Sequence, residues 1–141
     1  MIGEKIGLGA GWRGADDYLI YGSKEKPRPA DALGEVICGT LAGQSPRARA
    51  REVGALRRLR PDCRKAVMHF SLSLPPGQSL TSEKWDLAAR VFMKEMGVDL
   101  DRHQWMGVKH IDRHHQHLHI LINRVPLDGG NLAREKKTTT T

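Results

Sequence analysis

Apolar and polar residues alternate from Lys65 to Ser73, with Ala66, Met68, Phe70 and Leu72 on one face and Val67, His69, Ser71 and Ser73 on the other. A period of two predicts a half-buried strand. Farther on, Trp85, Ala89, Phe92 and Met96 recur at helical spacing, a stripe that reads as core. Thr81 or Ser82 caps that helix, Glu83 suits its positive end, and Gly97 terminates it. Gln104 to Ile111 and Leu118 to Val125 read as two more strands joined by a short polar turn. Ser45-Pro46 offers a cap with proline at the first helical position, opening a basic helix to Leu59. Val53 and Leu56 face inward on it, and Pro61 ends it. Trp12 to Tyr21 suits a short helix, and Lys24 to Ala30, with Pro27 and Pro29, a loop. The four glycines within residues 1–11 suggest a flexible lead-in. Gly7-x-Gly9-x-Gly11 has neither the spacing nor the preceding strand of a dinucleotide fingerprint. The pattern predicts an α+β domain, an antiparallel β-sheet with helices packed on it.

Composition narrows the partners. A chain of 141 residues suits one domain with one core. Its 23 Lys and Arg against 16 Asp and Glu give a net charge of +7 and a pI near 9.8, which favours a polyanion. Cys38 and Cys63 stand too far apart for a C-x-x-C site or a disulfide framework. Nothing resembles a signal peptide or a membrane span, so no membrane insertion and a reduced, cytoplasmic location are the expectation. The threonine-rich end from Glu135 is low in complexity; residues 132–141 are expected to form a disordered polar tail, leaving a domain of 1–131.

Candidate chemistry concentrates near the end of the chain. Seven histidines occur, and five of them fall between His110 and His119. On a strand, His117 and His119 project from one face while Leu118 and Ile120 point to the other. The preceding strand would deliver His110 beside them. Three neutral imidazoles from two adjacent strands make a metal site with open coordination positions, as a catalytic metal requires. A solvated histidine-rich turn is the bland reading; the His117-x-His119 phasing with His110 and Asp112 upstream favours the metal. An HExxH helix is excluded by the spacing and the missing glutamate. On a strand Asp112 shares the face of His110, where it could hold a ligand histidine in its tautomer or take a proton. His115 is a surrogate ligand or a bystander, and His114 is expected to be solvated.

These residues carry a resemblance. His110-x-Asp112-x-x-x-x-His117-x-His119-x-x-x-Asn123 resembles the third motif of conjugative relaxases, endonucleases of the HUH superfamily, with the signature standing as His117-Leu118-His119. Gly14-Ala15-Asp16-Asp17-Tyr18-Leu19 is similar to their first motif, which carries a nucleophilic tyrosine. His69 to Gly77 is similar to the second, where a serine before an apolar-Pro-x-Gly turn contacts DNA, here Ser73. The motif order, tyrosine before histidines, fits mobilisation relaxases of the T-DNA border endonuclease type (MOB-P-like). A replication initiator or transposase would carry its tyrosine after the histidines, and none stands there.

The resemblance implies an HUH-endonuclease fold and nicking of one DNA strand at the origin of transfer of a plasmid or mobile element. It implies Tyr18 as nucleophile with Tyr21 as backup, and a 5′-phosphotyrosine intermediate. It also implies Mg or Mn on His110, His117 and His119, Asp112 as a catalytic group, and Ser73 and Asn123 at the DNA. Expected partners are single-stranded DNA, accessory relaxosome proteins and a type IV secretion coupling protein, in a bacterial cytoplasm. Relaxase catalytic domains usually continue well past the third motif, so a truncated domain, a minimal one, or a segment of a longer protein is expected. A non-catalytic nucleic-acid-binding or metal-binding module is the other class.

Overall fold

The alternation in β3 (Val67–Ser73) sorts its side chains between two cores. Met68, Phe70 and Leu72 are buried against Trp85, Ala89 and Met93 of α3 (Ser82–Glu95), while Val67 packs with Trp12, Leu19 and Val53 on the opposite face. The computed structural model describes residues 1–112 and 114–136. Four further strands, β1 (Ile2–Gly9), β2 (Glu35–Gly39), β4 (His103–Asp112) and β5 (His115–Pro126), join β3 in one sheet. The order is β1-β3-β5-β4-β2, with every pairing antiparallel. Helices α1 (Trp12–Tyr21) and α2 (Pro46–Arg57) cover one face and α3 the other. This is the α+β architecture expected.

Strand β5 lies at the centre. Its Leu118, Ile120 and Ile122 point toward α3, and its Leu121 toward α1 and α2. Pairing sets Ser73 and His110 on either side of His117, and Ser71 and Val108 on either side of His119. The sequence therefore delivers its histidines to the face that α1 and α2 partly cover.

Helix caps follow the expected chemistry. The Ser45 and Thr81 hydroxyls accept hydrogen bonds from Ala48 N and Lys84 N, and proline opens α2. One buried pair docks α1 on α2: Arg49 donates through Nε and Nη2 to the two oxygens of Asp16, at 2.7 Å each, and Trp12 Nε1 adds a third bond.

Two expectations need correction. Residues 1–11 are not a flexible lead-in: they supply edge strand β1, paired with β3 from Ile2–Ser73 to Gly9–Val67. Glycine weakens a strand's signature, yet Gly3 has a packing reason, since a Cβ there would meet the Phe92 ring at 2.3 Å. The short edge strand β2 was not anticipated. The polar tail does not begin at 132, for Ala133 is buried and its N–H donates to Arg124 O at 2.8 Å. Lys136 N likewise donates to Met96 O, and Glu135 pairs with Lys5. The rest of the expected tail, 137–141, lies outside the described residues.

Candidate active site at the hairpin end of the sheet

Four histidines from three strands gather on the α1-covered face. The rings of His110 and His119 lie 4.6 Å apart between centroids, and those of His69 and His119 5.1 Å. His110 and His117 are direct cross-strand partners. Each candidate ligand has one nitrogen engaged by a neighbour. His119 Nδ1 is 2.9 Å from His69 Nε2, His117 Nδ1 is 2.9 Å from Ser73 Oγ, and His110 Nε2 meets the Leu19 carbonyl at 2.5 Å. The last contact ties a strand residue to the helix turn beside Tyr18. Gly34 makes room for it, since a Cβ there would lie 2.1 Å from Leu19 O and 2.9 Å from His110 Nε2.

Burial favours the neutral form of His69, His110 and His119. Desolvation, reinforced by the neighbouring imidazoles, pushes His119 down to about 3. Desolvation and then His110 push His69 down to about 4. His110 is lowered as well, by burial first, with the Leu19 carbonyl opposing. Neutral imidazole is the form that offers a lone pair to a metal.

The donor set fits a divalent cation in its chemistry. A metal-bound histidine commonly has its other N–H held by a carbonyl, carboxylate or similar group, which fixes the ring and its tautomer. Leu19 O, Ser73 and His69 are such holders here. They leave the second nitrogen of His110, His117 and His119 without a protein partner among the described residues. In that same set no group of three His, Cys, Asp or Glu side chains is already arranged as a coordination shell. Binding an ion would have to draw the rings together.

The other candidates distribute unevenly. Ser73, expected at DNA, is half-buried and bonded to His117. Asn123 is fully buried, donating to Gln104 Oε1 and accepting from Val125 N, so its amide is committed inside the fold rather than turned to DNA. Among the described residues the Asp112 carboxylate bonds to no histidine: its side chain is 54% exposed and paired with Arg28 at 3.1 Å. His114 is exposed in the left-handed region at φ 72°, closing the β4–β5 hairpin. His115 lies 3.4 Å from Leu74 O and stacks loosely toward His117.

Both tyrosines of α1 are exposed, and at i and i+3 they lie on neighbouring parts of one helix face. Tyr21 lines a cavity with Gly34, Glu35, Val36 and Arg49, toward β2. Ala15, one turn before Tyr18, lines a cavity of about 210 Å³ with Val67, His69 and Leu121, toward β1 and β3. His69 was the residue sequence reasoning left without a role. The signal was present, because the alternation of β3 puts it on the face of Ser73.

Comparison with protein families matches the description "Relaxase: MobA/VirD2-like, nuclease domain" over residues 23–141. That span includes Ser73 and every candidate ligand histidine, and it begins just after the helix bearing Tyr18 and Tyr21. Comparisons with curated proteins and with solved structures returned no match. Among the described residues no helix is long and apolar enough to cross a membrane. With the motifs in order, the antiparallel sheet between its helices, and a match over most of its length, this chain belongs to the relaxase family, as a MobA/VirD2-like nuclease domain.

Proposed function

We propose that this domain nicks one strand of DNA at the origin of transfer of a plasmid or other mobile element, with Tyr18 as nucleophile. The observation that carries the reading is the histidine cluster: three candidate ligands, each with one nitrogen held by a neighbour, on the face covered by the tyrosine helix. The phenolic oxygen of Tyr18 forms a bond to the scissile phosphorus while the bond to the 3′ oxygen breaks. The products are a 5′-phosphotyrosine and a free 3′-OH, and the covalent link retains the free energy needed for later rejoining. His110, His117 and His119 would hold Mg or Mn, which when bound withdraws charge from the nonbridging oxygens and orients the phosphate.

Tyr18 is favoured over Tyr21 because it takes the nucleophile's place in the first motif and adjoins Leu19, whose carbonyl meets the His110 ring. Asp112 shares the His110 face of β4 and, among the described residues, bonds to Arg28 rather than to a ligand histidine; in this reading it accepts the phenol proton. Ser73 and His69 hold the ligand rings. Single-stranded DNA is the substrate, with relaxosome proteins and a secretion coupling protein as further partners.

The test is covalent capture. Wild type, Tyr18→Phe and Tyr21→Phe are incubated with Mn²⁺ and single-stranded oligonucleotides spanning transfer origins, then resolved on a denaturing gel. Wild type and Tyr21→Phe should give a DNA-shifted band that Tyr18→Phe lacks. Adduct retained by Tyr18→Phe and lost in Tyr21→Phe would reverse the assignment of the nucleophile.

A further inference from the structure

The arginines around α2 divide into two groups. Arg49 is buried on Asp16, Arg57 donates to Ala10 O at 2.6 Å, and Arg60 bonds Asp62 and Gly130 O. Those three hold the fold together. Arg47, Arg51 and Arg58 are exposed and make no hydrogen bond or ion pair among the described residues. At positions i, i+4 and i+11 they form one stripe along the helix. Gly54, at i+7 of the same stripe, leaves a flat floor, for a Cβ there would meet no atom within 4 Å. Across from them stands Arg13 of α1, with one loose contact to Asp17 at 3.4 Å. The four guanidiniums line an open groove of about 600 Å³ whose wall contains no carboxylate.

Four clustered cations, of which only Arg13 has a carboxylate contact among the described residues, repel one another, and a polyanion relieves that repulsion. The groove also leads somewhere. Tyr18 follows Arg13 by five residues, about 7.5 Å along the helix axis. Gly14, next to Arg13 and one turn before Tyr18, is exposed, and a Cβ there too would meet nothing within 4 Å. A backbone could thus cross α1 from the groove to the tyrosine over a stretch bare of side chains.

We propose that the Arg13–Arg47–Arg51–Arg58 groove is a phosphate track that binds the single strand flanking the nick and feeds it across Gly14 to Tyr18. This deepens the reading above and rests on it for the identity of the strand. Guanidinium contacts to phosphate carry no base information, so the track would contribute affinity and positioning rather than sequence choice.

The experiment uses the full chain with Tyr18→Phe as background, so that only non-covalent binding is read. Binding of a fluorescent, mixed-sequence single-stranded oligonucleotide is titrated at several salt concentrations. The triple variant R47Q/R51Q/R58Q is compared with K84Q/K94Q/R134Q, which removes equal charge outside the groove. Each lost phosphate contact lowers the slope of log affinity against log salt by about 0.7, so the groove variant should lose about 2. The control should change little. A slope unchanged in the groove variant, an equal loss in both variants, or no binding by the parent would overturn the track. Failure of the covalent assay with this slope change intact would reject the nicking chemistry and leave the track standing.

Discussion

His69, His110, His117 and His119 crowd one end of the sheet because three adjacent strands deliver them to the same face in matched register. The crowding has two consequences for single residues. It favours the neutral form of His69, His110 and His119, and it gives His119 a second imidazole to hold its Nδ1. For His119 to offer Nε2 to a cation, its Nδ1 must carry the proton and donate it to His69 Nε2. Loss of such a holder typically weakens metal binding 10–100-fold. His69→Ala should therefore lower Mn²⁺ affinity by about that factor in isothermal titration calorimetry, with His69→Gln, which restores an acceptor, losing less. Equal affinity in wild type and His69→Ala would show that the contact is incidental.

At the scale of elements, α1 is positioned by one buried ion pair. The Asp16 carboxylate is fully buried and takes three hydrogen bonds, two from Arg49 and one from Trp12. Removing one member of such a pair strands the other charge, which costs about 3–5 kcal/mol. Asp16→Ala should lose about that much stability in urea unfolding. The double change Asp16→Leu with Arg49→Met should recover most of it, because the penalty lies in the orphaned guanidinium. If Asp16→Ala unfolds like wild type, the pair does not anchor the helix. The neighbouring first-motif residue Asp17 is half-buried and among the described residues pairs with Arg13, so two adjacent aspartates in one motif have separate duties.

For the molecule as a whole, the half-buried imidazoles of His69 and His119 link stability to pH. His69 and His119 titrate near 4 and 3 in the fold against an ordinary 6.5. Below pH 6.5 the unfolded chain takes up protons that the native state refuses, so stability falls as pH is lowered from 6.5 toward 4 and 3. Between pH 6.5 and 5, His69 alone accounts for about 2 kcal/mol at 1.36 kcal/mol per unit. The urea midpoint of the metal-free protein should drop over that interval, and His69→Gln should flatten the drop. A midpoint constant from pH 7 to 5 would contradict burial of these rings. The molecule's charge is arranged rather than merely abundant: α2 places one set of arginines into the fold and another into an open groove.

Local pattern made the centre of the domain legible. Strands β3, β4 and β5 and helix α3 each repeat apolar residues at their own period, which reports the buried face directly. The same period placed His117 with His119 and Ser73 with His69 before any contact was known. The edges were harder to read: β1 is rich in glycine and β2 has five residues, so neither carries enough alternation to stand out. The segment at 132–136 looked like tail because its docking uses backbone hydrogen bonds to Arg124 and Met96, which side-chain chemistry does not announce. The sequence by itself determined the α+β class, the histidine face and the family, since periodicity and ordered motifs are local properties. Tertiary structure alone decided that Asn123 is internal, that His69 holds His119, and that Arg49 is structural while Arg47 and Arg51 are not. Each depends on residues brought together across the sheet or between helices, 50 positions apart for His69 and His119 and 33 for Asp16 and Arg49. Spacing along a chain cannot encode such distances; packing and register create them.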